Sequence, residues 1–199
     1  MDCISSRHLR ALELPMVNCL LEGKNIRLRP IESDDVDFLV GCSNNIHWYE
    51  YDPIVQFSKA NALRYFEHPS QLATIIQRTL YVVEKRDGKK VGLAMHFLIQ
   101  PSGNMEIGYL IVPEERGKGY GSEAAQITVD YLFLAKDIVR IQAATNVMNI
   151  GSQKVLEKVG FVKEGLMRKD FFVRGEWINS YLYSILKEEW KGPRMLVRI

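Results

Sequence analysis

An apolar strand followed directly by a glycine-rich turn and a helix constrains the fold of this chain more than any other stretch. The apolar run covers 107–112 and ends at Pro113, and the turn reads Arg-Gly-Lys-Gly-Tyr-Gly-Ser over 116–122. Beyond the turn, apolar residues recur at helical spacing, as at Ile127 and Tyr131. Such a stripe packs one face of a helix against a sheet. The stretch therefore predicts a strand and a helix that share a sheet and are joined by this turn.

The glycine-rich turn is suited to binding an anion. Glycine adopts positive φ angles and lets the backbone approach a ligand closely. The N–H groups at the start of a helix have no partner within the helix, and together with the helix dipole they attract phosphate. Arg116 and Lys118 add positive charge beside them. The anion could belong to a nucleoside triphosphate, a dinucleotide or coenzyme A, and the turn alone leaves all three open.

The length and composition are those of an ordinary globular chain. Its 199 residues are 47% hydrophobic and 25% charged, which predicts one domain with a proper core. The net charge of +2 is too small for bulk binding of nucleic acid. No apolar run is long enough for a membrane span. The three cysteines, Cys3, Cys19 and Cys42, are few and widely spaced, which favours a reducing cytoplasm over a disulfide framework.

Hydrophobic periodicity and turn signals predict the remaining elements. Strands are predicted over 26–30, 79–84, 90–100, 138–144 and 161–167, helices over 34–41, 58–67, 70–78 and 149–159, and a final hairpin over 170–186. Ser33 is predicted to cap the first helix, and Gly160 to end the last one. Asp87-Gly88 is a hairpin signal. The strands before the glycine-rich turn are therefore expected to form an antiparallel meander.

The residues in the turn distinguish among the possible anions. A Walker loop continues Gly-Lys with Ser or Thr, but here Gly119 follows Lys118. A dinucleotide-binding fingerprint would have a glycine at Ser122 and would open a parallel βαβ unit, whereas this turn follows a meander. The pattern that fits is Arg-x-x-Gly-x-Gly, formed by Arg116, Gly119 and Gly121.

With this turn the chain resembles the GCN5-related N-acetyltransferase superfamily. The run Asn-Ile-Gly-Ser-Gln-Lys-Val-Leu-Glu-Lys-Val-Gly-Phe over 149–161 resembles the second signature of that family. The opening Ile-Arg-Leu-Arg-Pro over 26–30 and the closing stretch from Trp177 to Trp190 resemble one branch of it. That branch contains the ribosomal-protein-alanine N-acetyltransferases and the spermidine acetyltransferases.

The resemblance implies a mixed α/β fold: a mostly antiparallel, twisted sheet that is flanked by helices and splayed where acetyl-CoA binds. It covers one domain over 25–190, between an N-terminal extension (1–24) and a C-terminal tail (191–199). The implied reaction moves an acetyl group from acetyl-CoA to a primary amine by direct attack in a ternary complex. The implied acceptors are a protein N-terminus, a polyamine, or an amino sugar or aminoglycoside.

The resemblance also implies how acetyl-CoA is bound. The pyrophosphate lies on the N–H groups of the turn, and the pantetheine arm pairs with the edge of the central strand, as a peptide would. The implied cofactor-binding residues are Ile111, Val112, Arg116, Gly117, Lys118, Gly119, Tyr120, Gly121, Ser122, Asn149 and Ser152. A backbone N–H near Ile111 or Val112 is the implied oxyanion donor. The histidines are isolated from other ligand residues, so no metal site is predicted.

An attacking amine must lose a proton, which calls for a general base. Glu106, at the start of the central strand, stands where many family members place that base. Glu123 is a weaker candidate, because its position in the first turn of a helix explains it adequately. Many members carry a tyrosine as the acid at the position of Leu156. Ser152 lies one turn earlier on the same helical face and is the candidate donor to the thiol sulfur.

Aromatic and acidic residues are expected to line the acceptor side, namely Trp48, Tyr49, Glu50 and Phe171, and they suit a cationic amine. Two other functions stay open. One is a non-catalytic acyl-CoA-binding sensor or interaction module, since Leu156 replaces the usual tyrosine. The other is a nucleotide-binding protein built on the glycine-rich turn. A homodimer formed through the C-terminal hairpin is a further expectation.

Overall fold

Eight strands form a single sheet in the computed structural model, which describes residues 21–45, 50–51, 58–67 and 78–196. The strands are β1 (Leu21–Glu22), β2 (Ile26–Pro30), β3 (Arg78–Lys85), β4 (Lys90–Ile99), β5 (Asn104–Ile111), β6 (Arg140–Asn146), β7 (Val162–Val173) and β8 (Glu176–Leu186). The α-helices of these ranges are α1 (Val36–Asn44), α2 (Lys59–Glu67), α3 (Tyr120–Ala135) and α4 (Ile150–Val159). No helix among them is long and apolar enough to cross a membrane.

The order of the strands is β1-β2-β3-β4-β5-β6-β8-β7. Neighbours from β1 to β5 are antiparallel, as are β6 with β8 and β8 with β7. Among the described strands only β5 and β6 run parallel, because α3 crosses over between them. This confirms the predicted mixed, mostly antiparallel sheet and the meander that precedes the glycine-rich turn.

The sheet opens between β5 and β6. These strands pair only at Met105 with Ile141 and at Glu106 with Gln142. Beyond that pair β5 continues to Ile111, along β4, and β6 continues to Asn146, along β8. The carboxyl halves of the two central strands therefore diverge, and a gap lies in the middle of the sheet.

Helices cover the two faces of the sheet in different places. On one face α3 and α4 pack onto a core that includes Ile107, Val129 and Leu156. On the other face α1 and α2 pack around Leu93, with Leu110 at the edge of that cluster. Successive residues of a strand point to opposite faces, so the odd positions of β5 face α3 and α4 and the even positions face α1.

Several elements predicted from local signals are confirmed. The strand at 26–30 has the predicted bounds. Gly88 adopts a φ of 85° in the turn between β3 and β4. Asn149 caps α4, where its side chain accepts a hydrogen bond from the Ser152 N–H, and Gly160 ends the helix with a φ of 113°.

The predicted start of the first helix is wrong. A 3-10 turn over Ser33–Asp35 comes first, and α1 begins only at Val36. The Asp35 carboxylate accepts the Glu32 N–H at 2.8 Å and also binds Arg29 and Lys90, both at less than 3.0 Å. Because the buried Asp35 ties this turn to β2 and β4, Ser33 does not act as the cap.

The strands predicted at 161–167 and 170–174 are one irregular strand, β7. Its pairing with β8 shifts between Lys163 and Gly165 and again between Met167 and Phe171. Lys169 has a φ of 50° at the second shift. Irregular residues bend an antiparallel strand without ending it, which explains why local sequence reads it as two.

The first and last described segments of the chain pack on the core. Of the predicted extension 1–24, residues 1–20 lie outside the described ranges, but Leu21 is buried and pairs with Leu28. In the predicted tail, Arg194 and Met195 donate their backbone N–H groups to the buried Asp130 of α3 at 2.9 and 2.8 Å. The helix predicted at 70–78 lies outside the described residues, apart from Arg78 at the start of β3.

Candidate active site

The glycine-rich turn exposes the start of α3. Gly117 and Gly119 have φ angles of 76° and 88°, a region that residues with a Cβ rarely adopt. The first helical hydrogen bond runs from the Glu123 N–H to the Gly119 carbonyl, at 3.0 Å. The N–H groups of 120–122 precede this bond and are directed out of the helix start. The backbone N–H groups of the predicted cofactor residues Tyr120, Gly121 and Ser122 therefore lie together at the start of α3, close to the end of β5.

The charges beside the turn are arranged differently from the expectation. Lys118 Nζ lies 2.9 Å from the Glu115 carboxylate, and Lys89 Nζ approaches the same carboxylate at 2.5 Å. Hydrogen bonds from Lys118 and Lys89 lower the pKa of Glu115 to about 2. Arg116 Nε donates to the Ile111 carbonyl at 3.0 Å. The positive charge of Lys118 is therefore partly balanced, while Arg116 reaches back to the open edge of β5.

The two predicted oxyanion donors, the N–H groups of Ile111 and Val112, point to opposite sides of β5. The Val112 N–H donates to the Val91 carbonyl at 2.9 Å, on the β4 side. Backbone N–H groups alternate in direction along an antiparallel ladder. The N–H of Ile111 is therefore directed toward β6, at a level where β5 and β6 have already parted.

Glu106 lies where the gap begins. It belongs to the last pair of the β5–β6 ladder, and its carboxylate accepts a hydrogen bond from Gln142 Nε2 at 3.0 Å. It is half-buried and on the face of β5 that also carries Leu110, next to α1. A carboxylate there can meet an acceptor that approaches from the α1 side.

Ser152 borders the gap from the opposite face. It lies in the first turn of α4, where Asn149 Oδ1 accepts its N–H at 3.0 Å. The Tyr109 hydroxyl of β5 is 3.0 Å from Ser152 Oγ and 3.3 Å from the Ser152 carbonyl oxygen. Leu156, one turn further along α4, has no exposed surface and belongs to the core.

Glu123 is held away from the gap. Its buried carboxylate accepts the N–H of Asn25 at 2.6 Å, the Asn25 side-chain amide at 2.8 Å and the Ile26 N–H at 3.2 Å. These bonds join the start of β2 to α3. They support the structural explanation for Glu123 over a role as the base.

The end of β6 faces polar groups of the neighbouring strands. Asn146 pairs with the buried Ser180, whose hydroxyl donates to the Asp170 carboxylate. Asn146 Nδ2 also donates to the Tyr51 carbonyl at 3.2 Å, so the segment that contains Glu50 reaches this end of the sheet. Phe171, half-buried, follows Asp170 on β7. The predicted Trp48 and Tyr49 lie outside the described residues.

Among the described residues, no group of three or more His, Cys, Asp or Glu side chains could hold a metal ion. His96 is buried against the rings of Tyr81 and Tyr131, at 5.7 and 5.9 Å between centroids. Burial lowers the pKa of His96 to about 4. Cys42 is buried too, and burial raises the pKa of its thiol to about 12. Neither side chain is part of the gap.

The family model described as an acetyltransferase (GNAT) domain matches residues 25–162. The chain belongs to the GNAT acetyltransferase family. This confirms the resemblance and the fold class, and the chain is accordingly an N-acetyltransferase.

Relatives of this GNAT protein match along most of their length. The probable N-acetyltransferase YjcK of Bacillus subtilis is 31% identical over 183 residues, covering 85% of this chain and 98% of the relative. The spermidine N(1)-acetyltransferase of Escherichia coli is 27% identical, covering 83% and 88%. The crystal structure of the ribosomal-protein-S5-alanine acetyltransferase of Vibrio fischeri superposes with a TM-score of 0.72 at 27% identity, covering 86% and 98%.

Two neighbours of the predicted GNAT site residues were missed from the sequence. Gln142 contacts Glu106 from β6, and Tyr109 contacts Ser152 from β5. Alternation along β5 indicates that Tyr109 shares a face with Ile107 and Ile111, but nothing local indicates that α4 delivers Ser152 to it.

Proposed function

We propose that the protein transfers the acetyl group of acetyl-CoA to a primary amine by direct attack in a ternary complex. The observation that carries the proposal is the gap between β5 and β6, which has the glycine-rich turn at one end and Glu106 at the other. A cofactor held at the turn and laid along the open edge of β5 would place its thioester between the turn and Glu106.

In this proposal the chain binds acetyl-CoA through backbone groups. The N–H groups of 120–122 hold the pyrophosphate, since the start of α3 favours an anion. Gly117 and Gly119 put no side chain at their own positions in the turn, and Arg116 lies beside it. The edge of β5 pairs with the pantetheine arm, and Asn149 lies across the gap from it. The Ile111 N–H is the proposed donor to the thioester oxygen, whereas the N–H of Val112 is engaged by Val91.

The proposed chemistry divides the proton and electron movements between the two faces of the sheet. Glu106 accepts a proton from the ammonium group of the acceptor, so that the nitrogen lone pair can attack the thioester carbon. The oxygen of the tetrahedral intermediate carries the negative charge. The nitrogen, now bonded to carbon, releases its second proton to solvent. When the intermediate collapses, the electron pair of the C–S bond leaves with sulfur, and Ser152 on the other face donates a hydrogen bond to that sulfur.

The proposed acceptor is a cationic primary amine. Glu106, Asp170 and Glu50 place carboxylates on or near the acceptor side, and Phe171 adds an aromatic ring, together with the predicted Trp48 and Tyr49. Relatives are named for spermidine and for a ribosomal-protein alanine, so a polyamine or a protein N-terminus is favoured over an amino sugar or aminoglycoside. The homodimer and the cytoplasmic location stay predictions.

Calorimetry with acetyl-CoA, followed by thiol release across a panel of polyamines, N-terminal peptides and amino sugars, tests the proposal. We expect binding and turnover with at least one amine. Binding without turnover on any amine would favour an acyl-CoA sensor instead. Stabilisation by ATP or NAD, but not by CoA, in a thermal-shift assay would favour a nucleotide-binding protein.

A pair of glycine variants tests the location of the cofactor. A Cβ at Gly119 or at Gly88 meets open space, and their φ angles are 88° and 85°. Gly119→Ala and Gly88→Ala should therefore cost a similar stability, about 1 kcal/mol. Only Gly119→Ala should weaken acetyl-CoA binding, by about tenfold or more, because its Cβ points into the proposed cofactor space. Equal affinities for the two variants would contradict the location.

A further inference from the structure

We infer that Tyr109 positions Ser152 so that the Ser152 hydroxyl directs its proton at the sulfur of coenzyme A. The inference rests on the proposed function and adds a residue to it. Tyr109 lies three residues beyond Glu106 on β5, in the part of the strand that β6 no longer accompanies. Ser152, which contacts Tyr109, therefore borders the gap at the level where the thioester and its sulfur would lie.

The two hydroxyl groups form a directional pair. Each hydroxyl has one proton to donate and can accept at its oxygen. The Tyr109 oxygen is nearer to Ser152 Oγ, at 3.0 Å, than to the Ser152 carbonyl oxygen, at 3.3 Å. When Tyr109 donates to Oγ, the Ser152 proton cannot also point back at Tyr109 and is directed elsewhere. When Tyr109 donates to the carbonyl instead, Ser152 can donate to Tyr109, and its proton is then withheld from the gap.

The backbone of Ser152 is already fixed, so the hydroxyl direction is the remaining freedom. Asn149 Oδ1 accepts the Ser152 N–H at 3.0 Å and holds the first turn of α4 in place. Both Tyr109 and Ser152 are half-buried, which strengthens a hydrogen bond relative to one in water. Leu156, fully buried and apolar, cannot supply a donor from the next turn.

The step needs no net transfer of a proton to sulfur. Glu106 takes the first proton of the acceptor ammonium, and the nitrogen releases its second proton to solvent after it has bonded to the thioester carbon. The C–S bond then breaks with both electrons going to sulfur, and the Ser152 hydroxyl donates a hydrogen bond to the thiolate that forms. A hydrogen bond donated to a thiolate favours this charged form and so lowers the pKa of the thiol. The pair should therefore lower the pKa of the coenzyme A thiol while the coenzyme is bound.

Titration of bound coenzyme A by its thiolate absorbance tests the inference without requiring an acceptor. A free thiol has a pKa of about 8.5. In the wild-type protein we expect the thiol of bound coenzyme A to titrate about one pH unit lower. Tyr109→Phe and Ser152→Ala should each remove most of this shift, and the double variant should be no different from Ser152→Ala alone.

Kinetics with the best acceptor give a second readout. Tyr109→Phe should lower kcat about tenfold and leave the KM for acetyl-CoA within about twofold, and it should have no further effect in the Ser152→Ala background. Tyr183→Phe is the matched control. Its hydroxyl also contacts α4, at Glu157 Oε1 3.1 Å away, and does not touch Ser152. That variant should keep the wild-type kcat and thiol pKa.

Three results would overturn the inference. One is the same thiol pKa in the wild type and in Tyr109→Phe. Another is a double variant in which the losses of kcat from Tyr109→Phe and Ser152→Ala add in full. The third is a raised KM for acetyl-CoA with an unchanged kcat in Tyr109→Phe, which would mean that Tyr109 only holds β5 and α4 together. A shifted thiol pKa without turnover on any amine would support the inference while contradicting the proposed reaction. Absence of coenzyme A binding would overturn both.

Discussion

Gln142 Nε2 lies 3.0 Å from Glu106 Oε2, across the last pair of the short β5–β6 ladder. Gln142, which holds the proposed base Glu106, thus belongs to β6, and β6 diverges from β5 immediately after this pair. One oxygen of the carboxylate is held by β6 at the point of divergence, and the group lies on the face of β5 that also carries Leu110. The same geometry that opens the sheet also orients Glu106.

Replacing Gln142 should disturb catalysis more than binding. Gln142→Leu removes the amide that donates to Glu106, so the carboxylate loses this hydrogen bond from β6. We expect kcat to fall about tenfold, with little change in the acetyl-CoA affinity measured by calorimetry. Ser184→Ala is the control, because Ser184 pairs with Gln142 on β8 but donates to Glu164, at 2.6 Å. An equal loss in both variants would argue for a general effect on the sheet.

Glu106→Gln should reduce kcat by at least about a hundredfold, because an amide of the same shape cannot accept the proton of the acceptor. Binding of acetyl-CoA should be unchanged, since the turn proposed to hold the pyrophosphate lies at the other end of the gap. Glu164→Gln offers a matched loss of charge. Glu164 is paired with Arg140 at 2.6 Å and lies on β7, away from the gap. Wild-type turnover by Glu106→Gln would exclude Glu106 as the base.

His96 should make the folded state sensitive to mild acid. Burial lowers the pKa of His96 in the folded protein to about 4, from an ordinary value of 6.5. As the pH falls through 6.5 the unfolded chain binds a proton that the folded protein does not, so the stability present above pH 6.5 is progressively lost down to about pH 4. Between pH 7 and pH 5 this amounts to about 2 kcal/mol.

Urea unfolding of the wild type and of His96→Phe at pH 7 and pH 5 measures this contribution. Phenylalanine keeps the ring against Tyr81 and Tyr131 and removes Nδ1, which is buried and has no hydrogen-bond partner among the described residues. The variant should lose less stability than the wild type between the two pH values. Parallel losses in the two proteins would show that other groups cause the acid sensitivity.

Asp130 should anchor the C-terminal segment. The carboxylate is fully buried and accepts from Trp190 Nε1 at 3.0 Å, as well as from the N–H groups of Arg194 and Met195. Asp130→Asn would place the NH₂ group of an amide against N–H groups that can only donate. We therefore expect a loss of about 2–4 kcal/mol in the free energy of unfolding. Asp87→Asn removes an exposed ion pair with Lys85 and should leave the free energy of unfolding nearly unchanged, because solvent screens such a pair. Similar losses would argue against the anchor.

Elements with a local signal were predictable. The turn at Gly88 and the two ends of α4 depend on single residues and their immediate neighbours. Gly88 and Gly160 adopt positive φ angles, and Asn149 accepts the N–H of Ser152 three residues on. The glycine-rich turn is of the same kind, since positive φ angles at Gly117 and Gly119 depend on the absence of a Cβ. Where a distant residue intervenes, local reasoning failed, as at Ser33, whose capping role is prevented by the contacts of Asp35 with Arg29 and Lys90.

The sequence by itself determined the family, the glycine-rich turn and the positions of Glu106 and Ser152 on their elements, because motifs and periodicity are properties of consecutive residues. Only the tertiary structure decided which side chains meet beside the gap. Tyr109 and Ser152 are 43 residues apart in sequence, and Gln142 is 36 residues from Glu106. Their contacts depend on the order of the strands and on the point where β5 leaves β6. Those features arise from packing of the whole sheet against α3 and α4, which no single segment encodes.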